Sequence, residues 1–309
     1  MMFKLTTKTD ARRESKGFGR LLLNGACCLL FLLFCCSTAL LAQTARVTSE
    51  RVEINGGKLY YEMAGRGRNI VLIHGGLADS RMWDDQFQAF AKHYRVLRYD
   101  LRGFGRSDFS MGPLSHVEDL AALLRHLRIK KATLVGLSLG GMIATDLALE
   151  YPQMVERLVL VGSGLRGYQG VKNEQAIAIY KVAETEGRDK AIALWLEHPF
   201  FVTGKHNAAY QQKMRDMLTD SFRTWGPTPA PIIWNWPTAP VIERLQTIKV
   251  PTLVIVGDKD FINITNIADI LATKIPTAKK ALMKGVSHHP NMEKPVEFNQ
   301  LILGFLRRK

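Results

Sequence analysis

The run Leu134-Val135-Gly136-Leu137-Ser138-Leu139-Gly140-Gly141 constrains the chain more than any other stretch. Lys131 to Val135 reads as a short buried strand, and Met142 to Leu149 reads as an amphipathic helix. Between them a serine is flanked by glycines two residues before and two after, the pattern of a nucleophile elbow. Such a turn holds its serine in a strained backbone conformation, and side chains at the flanking positions would strike neighbouring backbone. Gly136 and Gly140 remove that obstacle, and Gly141 lets the helix approach the sheet closely. The corner lifts the Ser138 hydroxyl clear of the sheet. It also puts the Leu139 amide at a helix N-terminus, where it can meet developing negative charge.

The surrounding pattern supplies the sheet. Arg46 to Asn55 alternates polar and apolar residues, turns at Gly56-Gly57 and returns through Lys58 to Met63, which predicts a β-hairpin. Asn69 to His74 is a continuous apolar strand, as expected where both faces are buried. A helix from a Ser80 cap through His93, a strand over Tyr94–Tyr99 and a helix over Leu114–Ile129 follow, then the elbow and a strand over Arg157–Gly162. Strands alternating with helices of this length indicate a mostly parallel α/β sheet. The rhythm breaks after Gly164 and resumes only at Val250–Gly257, too long a gap for one crossover. Helices near 175–186, 188–199, 207–225 and 238–247 are expected to fill it, giving a helical cap over 165–249 on a core of 43–164 and 250–309. The end of the chain predicts a helix over 264–275, a strand over 279–285 and a helix from Lys294 to Arg308.

Residues 1–42 stand apart. Six basic and two acidic residues precede Leu21, and the 22 residues from Leu21 to Ala42 carry no charge. This is the layout of a signal peptide, with a small-x-small site at Ser37-Thr38-Ala39, and it is also long enough for a membrane anchor. Either way the rest of the chain is expected on the far side of a membrane, periplasmic or extracellular. All four cysteines (Cys27, Cys28, Cys35 and Cys36) lie in the apolar segment, so the exported part has no disulfide or thiol chemistry. No zinc-like spacing occurs, and no basic block interleaved with aromatics suggests nucleic acid. Of the formal net charge of +14, residues 1–42 carry +4 and the remainder +10, read as Lys and Arg scattered over a solvated surface.

A serine at neutral pH needs a base, and the base needs an orienting acid. Gly257-Asp258-Lys259-Asp260 and Gly285-Val286-Ser287-His288-His289 leave the last two strands in the chain order Ser, Asp, His. Together with Ile73-His74-Gly75-Gly76 and the loop Asp100 to Ser107, these pieces resemble α/β-hydrolase-fold serine hydrolases from about Arg51 to Phe305. The chain is most similar to compact lactonase, esterase and cofactor-free haloperoxidase members. The resemblance implies an eight-stranded, mostly parallel sheet with helices on both faces and a small helical cap after strand 6. It selects Asp260 over Asp258 as the acid and His288 over His289 as the base, leaving His289 a neighbour at the rim. It makes His74 a brace, gives the Asp100 loop a structural role, and assigns the oxyanion hole to the Leu139 and Gly76 amides, with Leu77 the alternative to Gly76.

Hydrolysis of a small or medium ester or lactone is the activity implied, with no metal and no cofactor. C–C bond hydrolysis, perhydrolysis and a hydrolase-fold ligand receptor use the same residues. Large apolar side chains in the insertion (Trp195, Phe200, Phe201, Trp225, Trp234, Trp236) either glue cap to core or roof the pocket. Leu77, Trp234 and Trp236 are the substrate-binding candidates.

Overall fold

A computed structural model describes residues 45–109, 113–225 and 235–308. The leader assignment over residues 1–42 lies outside them, and so does Trp234. Eight strands form one sheet: β1 (Thr48–Ile54), β2 (Gly57–Ala64), β3 (Asn69–Ile73), β4 (Arg95–Tyr99), β5 (Ala132–Leu137), β6 (Val155–Val161), β7 (Thr252–Gly257) and β8 (Ala278–Met283). The helices are α1 (Asp84–Ala91), α2 (His116–His126), α3 (Leu139–Glu150), α4 (Glu174–Thr185), α5 (Arg188–Leu196), α6 (Ala208–Trp225), α7 (Ile262–Lys274), α8 (Pro290–Glu293) and α9 (Pro295–Arg307).

The strand order is β1-β2-β4-β3-β5-β6-β7-β8, with β2 antiparallel to both its neighbours and the rest parallel. The rhythm predicts a mostly parallel sheet, and the eight-stranded sheet is the one the hydrolase resemblance implies. From β3 the chain crosses to β4 on one side, then returns to β5 on the other. That reversal opens a crevice at the carboxyl ends of β3 and β5, where open parallel sheets bind ligands. His74 to Gly76 leave β3 there, and Ser138 leaves β5.

Central strands are buried on both faces, as their unbroken apolar runs require: every residue of β5 and β7 is buried. One apolar layer packs Leu120 and Leu124 of α2, Ile143 and Leu147 of α3 and Leu271 of α7 on the sheet. The opposite layer gathers Phe87 and Phe90 of α1 and Phe298 and Ile302 of α9. It also takes Ile179, Ile192, Trp195 and Met214, the buried sides of α4, α5 and α6. These three helices occupy the gap between β6 and β7.

Two local expectations fail. Ser80 does not cap a helix: Asp79 does, its Oδ1 accepting the Arg81 N–H at 2.9 Å, and the first turn is a 3-10 turn over Ser80–Trp83. Ser80 is buried, and its Oγ accepts from Arg106 at 3.0 Å. The helix expected over 238–247 shrinks to one 3-10 turn, Leu245–Thr247. Pro237 and Pro240 remove backbone donors and force the residue before each toward an extended conformation. Among the described residues, no helix is long and apolar enough to cross a membrane.

Candidate active site

Ser138 sits between β5 and α3 with φ 52° and ψ −110°, a conformation that a side chain adopts only under compulsion. The compulsion comes from packing. A methyl group on Gly140 would lie 2.2 Å from the Ile73 carbonyl oxygen, and one on Gly136 would lie 2.2 Å from the Gly140 carbonyl oxygen. No side chain fits at either position, so the corner turns as sharply as it does. The Ser138 amide donates to the Val161 carbonyl, and the Ser138 carbonyl accepts from Met142 and Gly164, which pins the serine to the end of β6. Leu139 opens α3, so its N–H has no acceptor within the helix.

The turn after β3 runs against this corner. A side chain on Gly75 would come within 3.4 Å of the Ser138 Cβ, whereas one on Gly76 would meet nothing within 4 Å. Gly76 therefore borders open space beside the serine. Leu77 is buried with φ 58° and packs into the apolar layer that holds α1. His74 braces the turn: its Nε2 accepts the Leu101 N–H at 2.9 Å, which leaves Nδ1 to donate to the Gly75 carbonyl at 2.7 Å. Complete burial holds its pKa below the usual imidazole value, with Asp100 opposing. The Asp100 loop is tied by its own carboxylate, which accepts from Ser80 N–H at 2.9 Å and Arg106 N–H at 2.8 Å. A buried Arg102–Asp119 pair at 2.8 Å completes it.

Asp260 and His288 meet across the ends of β7 and β8. The His288 Nδ1 lies 3.1 and 3.0 Å from the two Asp260 carboxylate oxygens. A carboxylate only accepts, so Nδ1 carries the proton and Nε2 keeps its lone pair. Asp258 does something else, accepting the Gly285 N–H at 2.6 Å and so closing the loop base. Gly162, which follows β6, is the third neighbour. A side chain there would fall 3.1 Å from His288 Nδ1 and 3.2 Å from Asp260 Oδ2. The backbone of residues 161–164 thus touches the serine corner on one side and the acid–base pair on the other.

His289 is not at a rim. It is buried, its Nδ1 is 3.0 Å from the Tyr210 hydroxyl, and its ring stacks on Phe201. Burial, reinforced by His288, pushes its pKa well below the usual value, so it stays neutral. Trp236 is half-buried against the apolar layer containing α2 and α3. Sequence reasoning missed Glu293 and Thr203. Glu293 accepts the Ser287 and His289 N–H groups at 2.8 and 2.9 Å and the hydroxyls of Ser287 and Thr203. Burial raises its carboxyl above the usual value despite those donors. A lone glutamate five residues past the histidine carries no sequence signal of this role.

Comparison with known proteins adds a family. A family model described as the alpha/beta hydrolase fold matches residues 68–295. A protein of Azorhizobium caulinodans provisionally named carbamate hydrolase RutD is 30% identical over 252 residues, covering 80% of this chain and 94% of its own. The pimeloyl-[acyl-carrier protein] methyl ester esterase of Vibrio cholerae is 26% identical over 259 residues, covering 81% of this chain and 98% of its own. Among solved structures, the enol-lactonase from Burkholderia xenovorans LB400 superposes with a TM-score of 0.72 at 28% identity. It covers 84% of this chain and all of its own.

Proposed function

Because the chain belongs to the alpha/beta hydrolase family and its relatives are hydrolytic enzymes, we propose that it is a serine hydrolase that opens carboxylic ester or lactone bonds through Ser138, His288 and Asp260. The observation that carries this reading is the Asp260–His288 pair, bonded through Nδ1 and packed on Gly162, next to the Val161 carbonyl that accepts from a serine forced to φ 52°. Ser138 Oγ attacks the acyl carbon as its proton passes to His288 Nε2. The Asp260 carboxylate keeps Nδ1–H in place and stabilises the imidazolium that forms. The Leu139 and Gly76 amides receive the oxyanion. His288 returns the proton to the leaving alcohol, and water, activated by the same imidazole, releases the acyl group from Ser138.

The substrate is small or medium, with an apolar acyl part. The segment inserted between β6 and β7 is short, helical and rich in aromatic side chains, and such a roof over the strand ends limits the room for a chain. The test is p-nitrophenyl esters of increasing length with the full chain, together with a fluorophosphonate probe of Ser138. Turnover is expected to be highest for short acyl groups and to fall for long ones. A maximum at palmitate, or no labelling of Ser138, removes the reading. The carbamate-directed relative makes an aryl carbamate the natural second arm of the same assay.

Export belongs to the proposal as well, and rests on the basic and then uncharged stretch of residues 1–42. The mass of the exported protein decides between cleavage and a retained anchor, and recovery only inside the cell defeats both.

A further inference from the structure

Phe200 lies in the 3-10 turn Pro199–Phe201 between α5 and α6. Its ring stacks on the His288 imidazole with centroids 4.3 Å apart and planes 19° from parallel. It also meets Phe261, the residue after Asp260, edge to face at 6.1 Å and 89°. Its carbonyl accepts from the His288 N–H at 3.4 Å and lies 3.1 Å from Ser287 Oγ. Its own N–H donates to His198 Nδ1 at 3.2 Å. One residue of the inserted helical segment therefore holds His288 by ring and by backbone, from the side that Asp260 does not reach.

We propose that Phe200 is a positioning residue for the general base, an inference that rests on the triad reading above. A hydrogen bond at Nδ1 alone leaves the imidazole free to swing about that contact, which moves Nε2 out of line with the serine hydroxyl. A flat ring on one face removes that freedom and keeps water from that side of the base. When Nε2 takes the serine proton, the electron-rich face of the phenyl ring lies against the new imidazolium, well within the range where rings attract cations. Both effects act on the state that forms during the reaction. Neither requires Phe200 to touch the substrate. A leucine fills much of the same volume but has no flat face and no quadrupole.

The experiment compares Phe200→Leu, Phe200→Met, Phe200→Tyr and His288→Ala with wild type, all as full-length protein. Steady-state kinetics on p-nitrophenyl acetate and butyrate are read beside the rate of fluorophosphonate labelling. Phe200→Leu and Phe200→Met are expected to lower kcat about 10- to 100-fold and to slow labelling by a similar factor, with KM changing less than about 3-fold. The fractional loss should be the same for both esters, and Phe200→Tyr should recover most of the wild-type rate. A change carried by KM, or one that depends on acyl length, makes Phe200 a pocket wall and overturns the proposal. So does wild-type kcat in either aliphatic variant that folds, or a Tyr variant as slow as the aliphatic ones. If both aliphatic variants fail to fold, the Tyr variant decides alone, since its ring must then keep both kcat and KM near wild type. Labelling of wild type that His288→Ala abolishes keeps the triad reading in force. A wild type that neither labels nor turns over removes that reading, and the proposal with it.

Discussion

Ser138 is held by backbone, whereas His288 is held by side chains. At the serine corner Gly136 and Gly140 lie so close to neighbouring peptide groups that a methyl would sit 2.2 Å from a carbonyl oxygen. At the histidine loop, Glu293 accepts from Ser287, His289 and Thr203, and the Phe200 ring covers the imidazole. A backbone constraint is unforgiving and local, because the atoms involved lie on β3, β5 and the first turn of α3. A side-chain constraint is distributed, and part of it comes from a helical segment inserted between β6 and β7. The serine side should therefore fail all at once, and the histidine side by degrees.

The largest effect expected is on the chemistry common to both sides. Ser138→Ala, His288→Ala and Asp260→Asn should each lower ester hydrolysis about 10³-fold or more, with circular dichroism unchanged. Asp258→Asn is the contrast: Asp258 closes the loop base through the Gly285 N–H and lies 3.9 Å from the Lys284 ammonium, so its loss should stay within about 10-fold. Equal losses at Asp258 and Asp260 would show that the loop, and not the acid, is being measured. Next comes Gly140→Ala, whose added methyl must displace the Ile73 carbonyl. It should destabilise the protein by about 3 kcal/mol or more, seen as a lowered urea midpoint or loss of soluble protein. A well-folded, active Gly140→Ala protein would end the claim that backbone crowding sets the corner.

This contrast explains what could be read from the chain. The elbow writes its requirement in five adjacent residues, and hairpin alternation followed by the strand–helix rhythm locates all eight strands. The chain order Ser, Asp, His narrows the partners to two loops, but only the resemblance separates Asp260 from Asp258 and His288 from His289. In the structure Asp260 and His288 are the pair in contact. Phe200 was visible only as one of several large side chains in the insertion, because stacking across two separate segments leaves no periodic or spaced signal. Ser80 and residues 238–247 depart from expectation for local reasons: Ser80 is buried with its hydroxyl bonded to Arg106 while Asp79 caps the turn, and two prolines outweigh helix-favouring neighbours.

A smaller effect tests the histidine side directly. Glu293→Gln replaces an acceptor of four donors by a group whose NH2 must face two of them. Destabilisation of about 1–3 kcal/mol is expected, with a several-fold fall in kcat as the loop carrying His288 loosens. If stability falls and kcat does not, the loop holds its histidine without Glu293, and the division of labour drawn above is too sharp.

The last effect, read only as a slope, is a pH dependence beneath Phe200. His198 is buried, accepts the Phe200 N–H at Nδ1 and donates from Nε2 to Asn173 Oδ1 at 3.2 Å, so both nitrogens are satisfied while the ring is neutral. Burial first, and the nearby His288 second, lower its pKa to about 4. The unfolded chain takes up a proton near pH 6.5, so between about 6.5 and 4 it binds more protons here than the folded protein does. Stability contributed by the neutral ring is therefore complete above that window and is lost as pH falls through it, with one proton accounting for at most about 1.4 kcal/mol per pH unit. His289 and His74, also held below the usual value, add to the wild-type slope with the same sign. His198→Asn keeps an acceptor for the Phe200 N–H but cannot titrate. Its urea midpoint should decline less steeply than wild type between pH 7 and pH 4.5, whatever its stability at neutral pH. Parallel declines would mean that His198 is protonated in the folded protein as readily as in the unfolded chain. The turn under Phe200 would then be open to water, and the cover it gives His288 would have to come from elsewhere.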